Sequence, residues 1–487
     1  MNHEPKPRRE TLEHVIKFRT YVALGVGVIV GVGWVVYSGQ WLTTGGPAGA
    51  MLAFLIGGIL LLPIGMCYAE MTSALPLAGG ELSFAYKAFG ARLAFMTAWL
   101  LALAYTAVAP FETIAMGSMF EALLPGLATE TLYSVRIGGD EERVALSTVL
   151  PGCAIASLLI WANWHGAKDS ARIQMAIVVM MLACTAIFCG AALWQGELAN
   201  LRPLFANPAG GETSATAVLA AIVSVLVIVP FFMAGFDTIP QAAEEARVGM
   251  PLRDLGLAIL ISIACGSLFY VLIIFSVAIV MPWPEAATLP MTTAAVFESA
   301  LGYTWAAKLV LFTAFLGLVS TLNGVYVASS RLLFSMGRGG MLPHWFAAVH
   351  PEHHTPRNAL LFVGAISFAG PFVGKLALSP IVNSSSFAFT VAMTVTCFSA
   401  IRLRRTSPGL ERPFRAPTAA LSAGAFMAVA LLVLMLAPGS PGRLGGLETM
   451  IVLVWTVAGL LGFLRRTYTH PLEKREQDYL ILGDYQV

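Results

Sequence analysis

Two observations predict the fold class, an all-α polytopic membrane protein with 12 transmembrane helices. Hydrophobic residues make up 57% of the 487-residue chain and charged residues 11%, where a soluble domain carries roughly 25% charged residues. Predominantly apolar windows of about 20 residues, the length that crosses the hydrocarbon, also recur too often and run too long for separate water-soluble cores. Twelve can be placed, at 20–41, 47–74, 90–123, 147–163, 172–195, 214–243, 254–280, 305–331, 357–373, 378–401, 418–437 and 447–464. A net charge of +2 supplies no global basic field, so the expected partner is membrane lipid and not nucleic acid. The six cysteines all fall within apolar runs and form no CxxC pair, which argues against a disulfide framework or a zinc site.

An even number of spans puts both termini on one side, and Lys and Arg indicate which. With the tails cytoplasmic, 23 basic residues lie inside and six lie outside: Arg136, Arg143, Arg202, Lys308, Lys375 and Arg443. The positive-inside rule selects that orientation, in the plasma (inner) membrane. The expected organisation is a cytoplasmic segment 1–19, a core 20–403, a cytoplasmic loop 404–417, peripheral spans in 418–465 and a cytoplasmic tail 466–487. The first window is long, lacks a small-residue cleavage site and is followed by eleven more, so it reads as a span and not a signal peptide. The outer loop from about Gly126 to Leu146 mixes Asp140, Glu141 and Glu142 with two arginines and reads as a solvated cap.

Span one holds Gly25, Gly27, Gly31 and Gly33. Each interior glycine costs about 1 kcal/mol relative to alanine, so local unwinding is cheap there. The Gly27 to Gly31 spacing equally suits close helix packing. Glu70, near the inner end of span two, reads as an interfacial ion-pair partner. In span three, Glu112 follows Pro110 at mid-depth, where an ionised carboxylate costs about 2.5–3.5 kcal/mol or more. Such a group suits proton carriage or service as counter-ion to an amine, with a structural carboxyl as the alternative. In span six, Pro230 and Pro240 bracket Phe231, Phe232, Met233, Ala234, Gly235, Phe236 and Asp237, which predicts a second break.

The two breaks lie five spans apart, and an odd offset inverts the second half against the first, as in an inverted repeat. Unwound backbone survives in hydrocarbon only where it is buried in protein or lines a cavity, so the breaks predict a binding site. Half-helix N-termini offer amides to an anion and half-helix C-termini offer carbonyls to a cation, a combination that suits a zwitterion. Trp34, Phe231 and Phe236 adjoin the breaks and are candidates to wall or occlude that pocket. Asp237 is placed either to cap the restarting half-helix or to act directly at the site. Glu244 and Glu245, close in sequence to Arg247 and Arg253, form either a cytoplasmic gate or an ordinary interfacial pair. Ser320 and Thr321 of span eight make a candidate ion site, with helix packing as the plainer reading. Asn383 and Ser384, Ser385 and Ser386 in span ten line an external path or pack helices.

These residues, in this order, resemble the amino acid-polyamine-organocation transporter superfamily. Gly31-Val32-Gly33-Trp34 sits where that family has its span-one GxG turn, and the stretch from Pro76 to Glu81 resembles its loop after span two. Phe231 to Asp237, running on to Glu244 and Glu245, resembles the span-six signature of its amino acid permeases. The segments Arg331 to Pro343 and Arg412 to Pro417 resemble two further motifs, and the likeness covers about residues 20 to 465. The resemblance implies a LeuT-type 5+5 inverted repeat plus two peripheral helices. It also implies a substrate carboxylate at the Val32, Gly33 and Trp34 amides, and a substrate amine at the Phe231, Met233 and Ala234 carbonyls.

The implied activity is secondary transport of a small amino acid or related amine by alternating access. H+ is the expected coupling ion and Na+ the alternative. The span-five lysine of proton-coupled relatives falls, by counting, on Met181. An exchanger without proton coupling and a transport-dead sensor are the competing readings on the same scaffold. An enzyme is disfavoured because the eight histidines all lie outside the spans and no HExxH or Walker motif occurs. The group His350, Glu352, His353 and His354 reads as solvated loop, so no metal and no cofactor is expected. Oligomeric state and accessory subunits are left open.

Overall fold

The computed structural model describes Leu12 and residues 14–124, 130–137, 139–165, 167–206, 214–289, 292–301, 304–353, 355–440 and 442–486. Most of the segment expected at 1–19, parts of the outer loop and His354 lie outside the described residues. Among those described, 11 helical segments are long and apolar enough to cross a membrane. They are Phe18–Val36, Ser38–Ala74, Ala91–Glu121, Leu146–Trp164, Gln174–Gln195, Ala215–Phe232, Arg253–Val280, Trp305–Arg338, Lys375–Thr406, Thr418–Leu436 and Gly446–Thr469. They correspond in order to predicted spans one to eight and ten to twelve.

The ninth window behaves differently. Its helix runs Arg357–Ala369 and passes into a 3-10 turn at Gly370–Phe372. Thirteen residues of helix reach about 20 Å, short of a hydrocarbon core of about 30 Å. The helix stops where Pro371 removes an amide and where Gly370 meets span three, an added Cβ lying 2.6 Å from Pro110. The predicted boundary between spans one and two also moves. Residues 38–45 form the start of the Ser38–Ala74 helix, which kinks at Gly46 (φ 68°) before Pro47. That glycine is required, since a Cβ there would lie 2.5 Å from the Ala206 nitrogen.

The bundle is helical, but the outer cap contains a hairpin that the all-α reading did not include. Strands Thr131–Ile137 and Asp140–Ala145 pair antiparallel across a turn at Gly139, whose φ is 98°. Val144 is drawn inward against Val149 and Cys153, which gives this otherwise charged loop one apolar face.

Spans two and seven pack together, as do spans three and eight, spans four and nine, and the first pieces of span one against the last piece of span six. Four of the five pairs of spans five places apart are therefore packed on one another. The described parts of both tails lie at one end. Leu12 packs with Ala78 and Phe334, while the tail helix Lys474–Leu482 docks on the loop helix Glu81–Phe89 through Tyr86 and Asp478 (2.8 Å). The hairpin lies at the other end of span three, where Lys375 pairs with Glu121.

Candidate functional site

Both predicted breaks are present. Span one is helical over Phe18–Ile29 and resumes at Gly33–Val36. Span six is split into Ala215–Leu226, Val229–Phe232 and Thr238–Gln241, with Gly235 at φ 149° between the last two. The breaks touch: a Cβ on Gly33 would lie 2.5 Å from the Phe232 ring, and one on Gly235 would lie 2.7 Å from the Ile29 nitrogen. The crossing therefore depends on glycine at both positions. Span eight closes on the first break in the same way, since a Cβ on Gly317 would lie 2.6 Å from the Val30 carbonyl oxygen.

Between the breaks lies a small cavity of about 20 Å³, enough for about one water. Gly31, Gly33, Phe231, Ala234, Gly235, Glu112 and Thr321 line it, so seven of the residues singled out from sequence come together there. Val32, Trp34, Met233, Phe236 and Asp237 do not line it. Trp34 turns away to stack on Phe188 (ring centroids 5.4 Å) and meet Phe269 edge-on (5.9 Å), so it does not wall the cavity. Phe236 packs edge-on against Tyr68. The rest of the lining comes largely from aromatic residues not singled out from sequence: Tyr105, Phe111, Phe232, Tyr270 and Phe389. Tyr270 donates to the Ile29 carbonyl (2.7 Å), fixing the open end of the first half-helix. Single aromatic residues in apolar spans carry no spacing signal, which is why sequence reading passed over them.

Glu112 is 3% exposed, and its carboxylate lies beside the Val32 amide, a donor expected for the substrate carboxylate. A Cβ on Gly31 would lie 2.5 Å from the Glu112 Oε1, so the bare glycine is what lets the carboxylate reach the break. Among the described backbone bonds, the carbonyls of Met233 and Ala234 accept from no main-chain amide, whereas the Phe231 carbonyl accepts from Ala234 (3.2 Å). Asp237 does not cap the following half-helix. It folds back, and its Oδ1 accepts from the Gly235 amide at 2.7 Å.

The Thr321 hydroxyl donates to the Val28 carbonyl (3.0 Å), and the Ser320 hydroxyl accepts from Gln174 Nε2 at 2.6 Å. The span-five side chain that reaches the junction of spans one and eight is therefore Gln174. Met181, two turns on, is buried in the apolar core. Seven residues apart, Gln174 and Met181 lie on nearly the same face of the helix.

At the tail-bearing end, Glu245 pairs with Arg331 (2.6 Å) and Glu244 with Arg338 (3.1 Å), with all four side chains buried. This corrects the partner expected from sequence: Arg247 is exposed, and its amide bonds the Ile16 carbonyl (2.9 Å). Glu244 also accepts from the Ala78 amide (2.9 Å), which ties span six to the loop after span two. Between this closure and the break lies a second cavity of about 40 Å³, lined by Thr20, Asn163, Gln174, Asn323 and both members of the Glu245 pair. Glu70 is fully buried and is an ion-pair partner as expected, held by Arg404 and by Arg412 (3.3 Å). In span ten, Ser385 and Ser386 bond main-chain carbonyls of spans three and six, and Asn383 bonds Glu448.

A membrane-spanning bundle with two touching interrupted helices beside a small cavity has the build of a carrier for small solutes. Residues 16–461 match the amino acid permease family model, and the chain belongs to that family. It is 26% identical to a branched-chain amino acid permease, BcaP, of Bacillus subtilis (strain 168), over 92% of this chain and 91% of the relative. It is 28% identical to a methylthioribose transporter of the same organism, over 81% and 82%. An aspartate-proton symporter, also from that organism, is 26% identical over 81% and 73%. The chain is thus a multi-pass membrane transport protein and not an enzyme, and the family implies a LeuT-type fold.

Proposed function

We propose that this permease moves a small, uncharged-side-chain amino acid or a close amine relative by alternating access, coupled to H+. The observation that carries the reading is the contact between the two breaks, with Ala234, whose carbonyl is open, lining a mostly aromatic and aliphatic cavity whose polar members are Glu112, Thr321, Tyr105 and Tyr270. An amino group binds the Met233 and Ala234 carbonyls, and a carboxylate takes the span-one amides. Because Glu112 lies beside the Val32 amide, an arriving carboxylate competes with it. Two anions compete for one donor, so uptake of a proton by Glu112 clears the site for substrate. The apolar lining selects against charged side chains, which have no other partner there.

Proton coupling is favoured over sodium by Gln174, whose amide N–H points at the Ser320 oxygen that a cation would need. The cavity fits about one water, so substrate entry requires Phe231 and Phe232 to move. With the tails in the cytoplasm, as the positive-inside rule directs, the Glu244 and Glu245 pairs close the inner side. Counter-flow uptake into proteoliposomes with a panel of labelled amino acids and amines, at two imposed pH gradients, tests the proposal. Saturable counter-flow of neutral amino acids, with accumulation that follows the pH gradient, is expected. Counter-flow without a gradient response would make the protein an exchanger, and no flux with intact binding would make it a sensor.

A further inference from the structure

Below the span-six break lies a buried acidic cluster that the transport site does not use. Glu81 opens the loop helix Glu81–Phe89, and Asp237 and Gln241 come from span six; all three are fully buried. Gln241 Nε2 donates to Glu81 Oε2 at 2.5 Å, and Gly235 donates to Asp237 Oδ1 at 2.7 Å. Glu81 Oε1, Asp237 Oδ2 and Gln241 Oε1 make no hydrogen bond of good geometry, although the Tyr68 and Tyr105 side chains lie beside the two carboxyls. The titratable groups facing the pair are Tyr68 of span two, Tyr105 of span three and, beside Tyr68, Cys397 of span ten. None of them is cationic. Glu244, further along span six, is engaged by Arg338 and the Ala78 amide.

Glu81 bonds Gln241, one turn beyond Asp237 on span six, and two carboxylates buried this close, with no cation beside them among the described residues, disfavour double ionisation. A buried oxygen without a donor costs about 1–3 kcal/mol. One proton answers both problems. Bound to a carboxyl oxygen, it takes the pair from two negative charges to one and turns an orphaned acceptor into a donor. Burial raises the Glu81 carboxyl well above the usual range, and the Asp237 charge adds to that. A hydrated metal or sodium ion needs room, and the packing here is close: a Cβ on Gly80 would lie 2.7 Å from Pro240.

We propose that Glu81 and Asp237 together hold one proton while this end of the bundle is closed, and release it to solvent on that side when it opens. The O–H bond breaks as water reaches the pair, the proton passes to that water, and both carboxylates become hydrated. The cluster joins the loop after span two to the segment of span six that ends at the Glu244 and Glu245 pairs, so opening that end is what wets it. This rests on the transporter reading and gives the coupling proton a release site distinct from Glu112.

The test uses purified full-length protein in proteoliposomes. One proton per substrate supports about tenfold accumulation per unit of pH gradient. In Glu81→Gln, counter-flow exchange persists while gradient-driven accumulation falls about tenfold, to unity; wild-type accumulation in this variant overturns the proposal. Loss of counter-flow in wild type as well would instead sink the transporter reading. Should Glu81→Gln fail to fold, Glu81→Asp keeps a carboxyl: a shifted pH midpoint for accumulation supports the proposal and an unshifted one refutes it. A protonated-carboxyl C=O band in the infrared spectrum at neutral pH, absent from the Gln variant or displaced in the Asp variant, is also expected. Its elimination from wild type by sodium chloride, at fixed pH and ionic strength, would assign the site to a metal cation and overturn the proposal.

Discussion

Replacing Arg331 with Met tests whether the closure at the tail-bearing end is held by charge. The Arg331 Nε lies 2.6 Å from Glu245 Oε1 and a second guanidinium nitrogen lies 3.3 Å from Oε2, a bidentate clasp. The side chains are 6% and 2% exposed, so water and salt screen the pair little. Removing one partner of such a pair leaves a buried charge uncompensated, at about 3–5 kcal/mol. The closed state bears that cost, and a state open at this end, with Glu245 hydrated, does not. At about 1.4 kcal/mol per tenfold, the equilibrium shifts toward the open state by a factor of hundreds or more. The assay is the rate at which a polar thiol reagent labels a cysteine placed at Asn323, which lines the cavity behind the pair. Arg331→Met raises that rate about a hundredfold or more, and adding Glu245→Leu restores most of the closed state because no buried charge then remains. Equal labelling in wild type and Arg331→Met, at matched expression, would refute the reasoning.

Gly33→Leu abolishes uptake without loss of expression, because its Cβ would meet the Phe232 ring at 2.5 Å; retained uptake in proteoliposomes would remove the break contact from the site. Gly317→Ala drives a methyl against the Val30 and Gly31 carbonyl oxygens at 2.6 and 2.7 Å, so substrate affinity in a scintillation proximity assay falls about tenfold or more. Glu112→Gln flattens the pH dependence of uptake, and an unchanged profile would remove it as a proton carrier. Glu70→Gln strands Arg404 and Arg412 against each other and costs about 3–5 kcal/mol, read as a lower melting temperature in detergent. Stability over pH carries the sign of Glu81: its raised folded value means the native state binds the extra proton, so stability falls as pH rises from the ordinary carboxylate range through the folded value. Glu81→Gln removes that slope in denaturation series at stepped pH.

The spans and the two breaks were legible in the sequence because each is a local property. Apolar length decides crossing, and glycine and proline weaken a helix wherever they stand, so Gly31, Gly33, Pro230 and Gly235 could be read without neighbours. The ninth window matches the helical stretch closely, and only its change from α-helix to a 3-10 turn at Gly370, where the chain packs on Pro110, lay outside what apolar length can show. What only the tertiary structure decided is which side chains meet. Glu245 finds Arg331 86 residues away, passing over Arg247 two positions on, because Arg247 projects to solvent where span six has already ended. Gln174 of span five bonds Ser320 of span eight, a contact hidden in the sequence because apolar helices give no outward sign of which neighbour they meet. The pairing of Glu81 with Asp237 was likewise hidden, because burial of a carboxylate is a property of everything packed around it and of no stretch of chain alone.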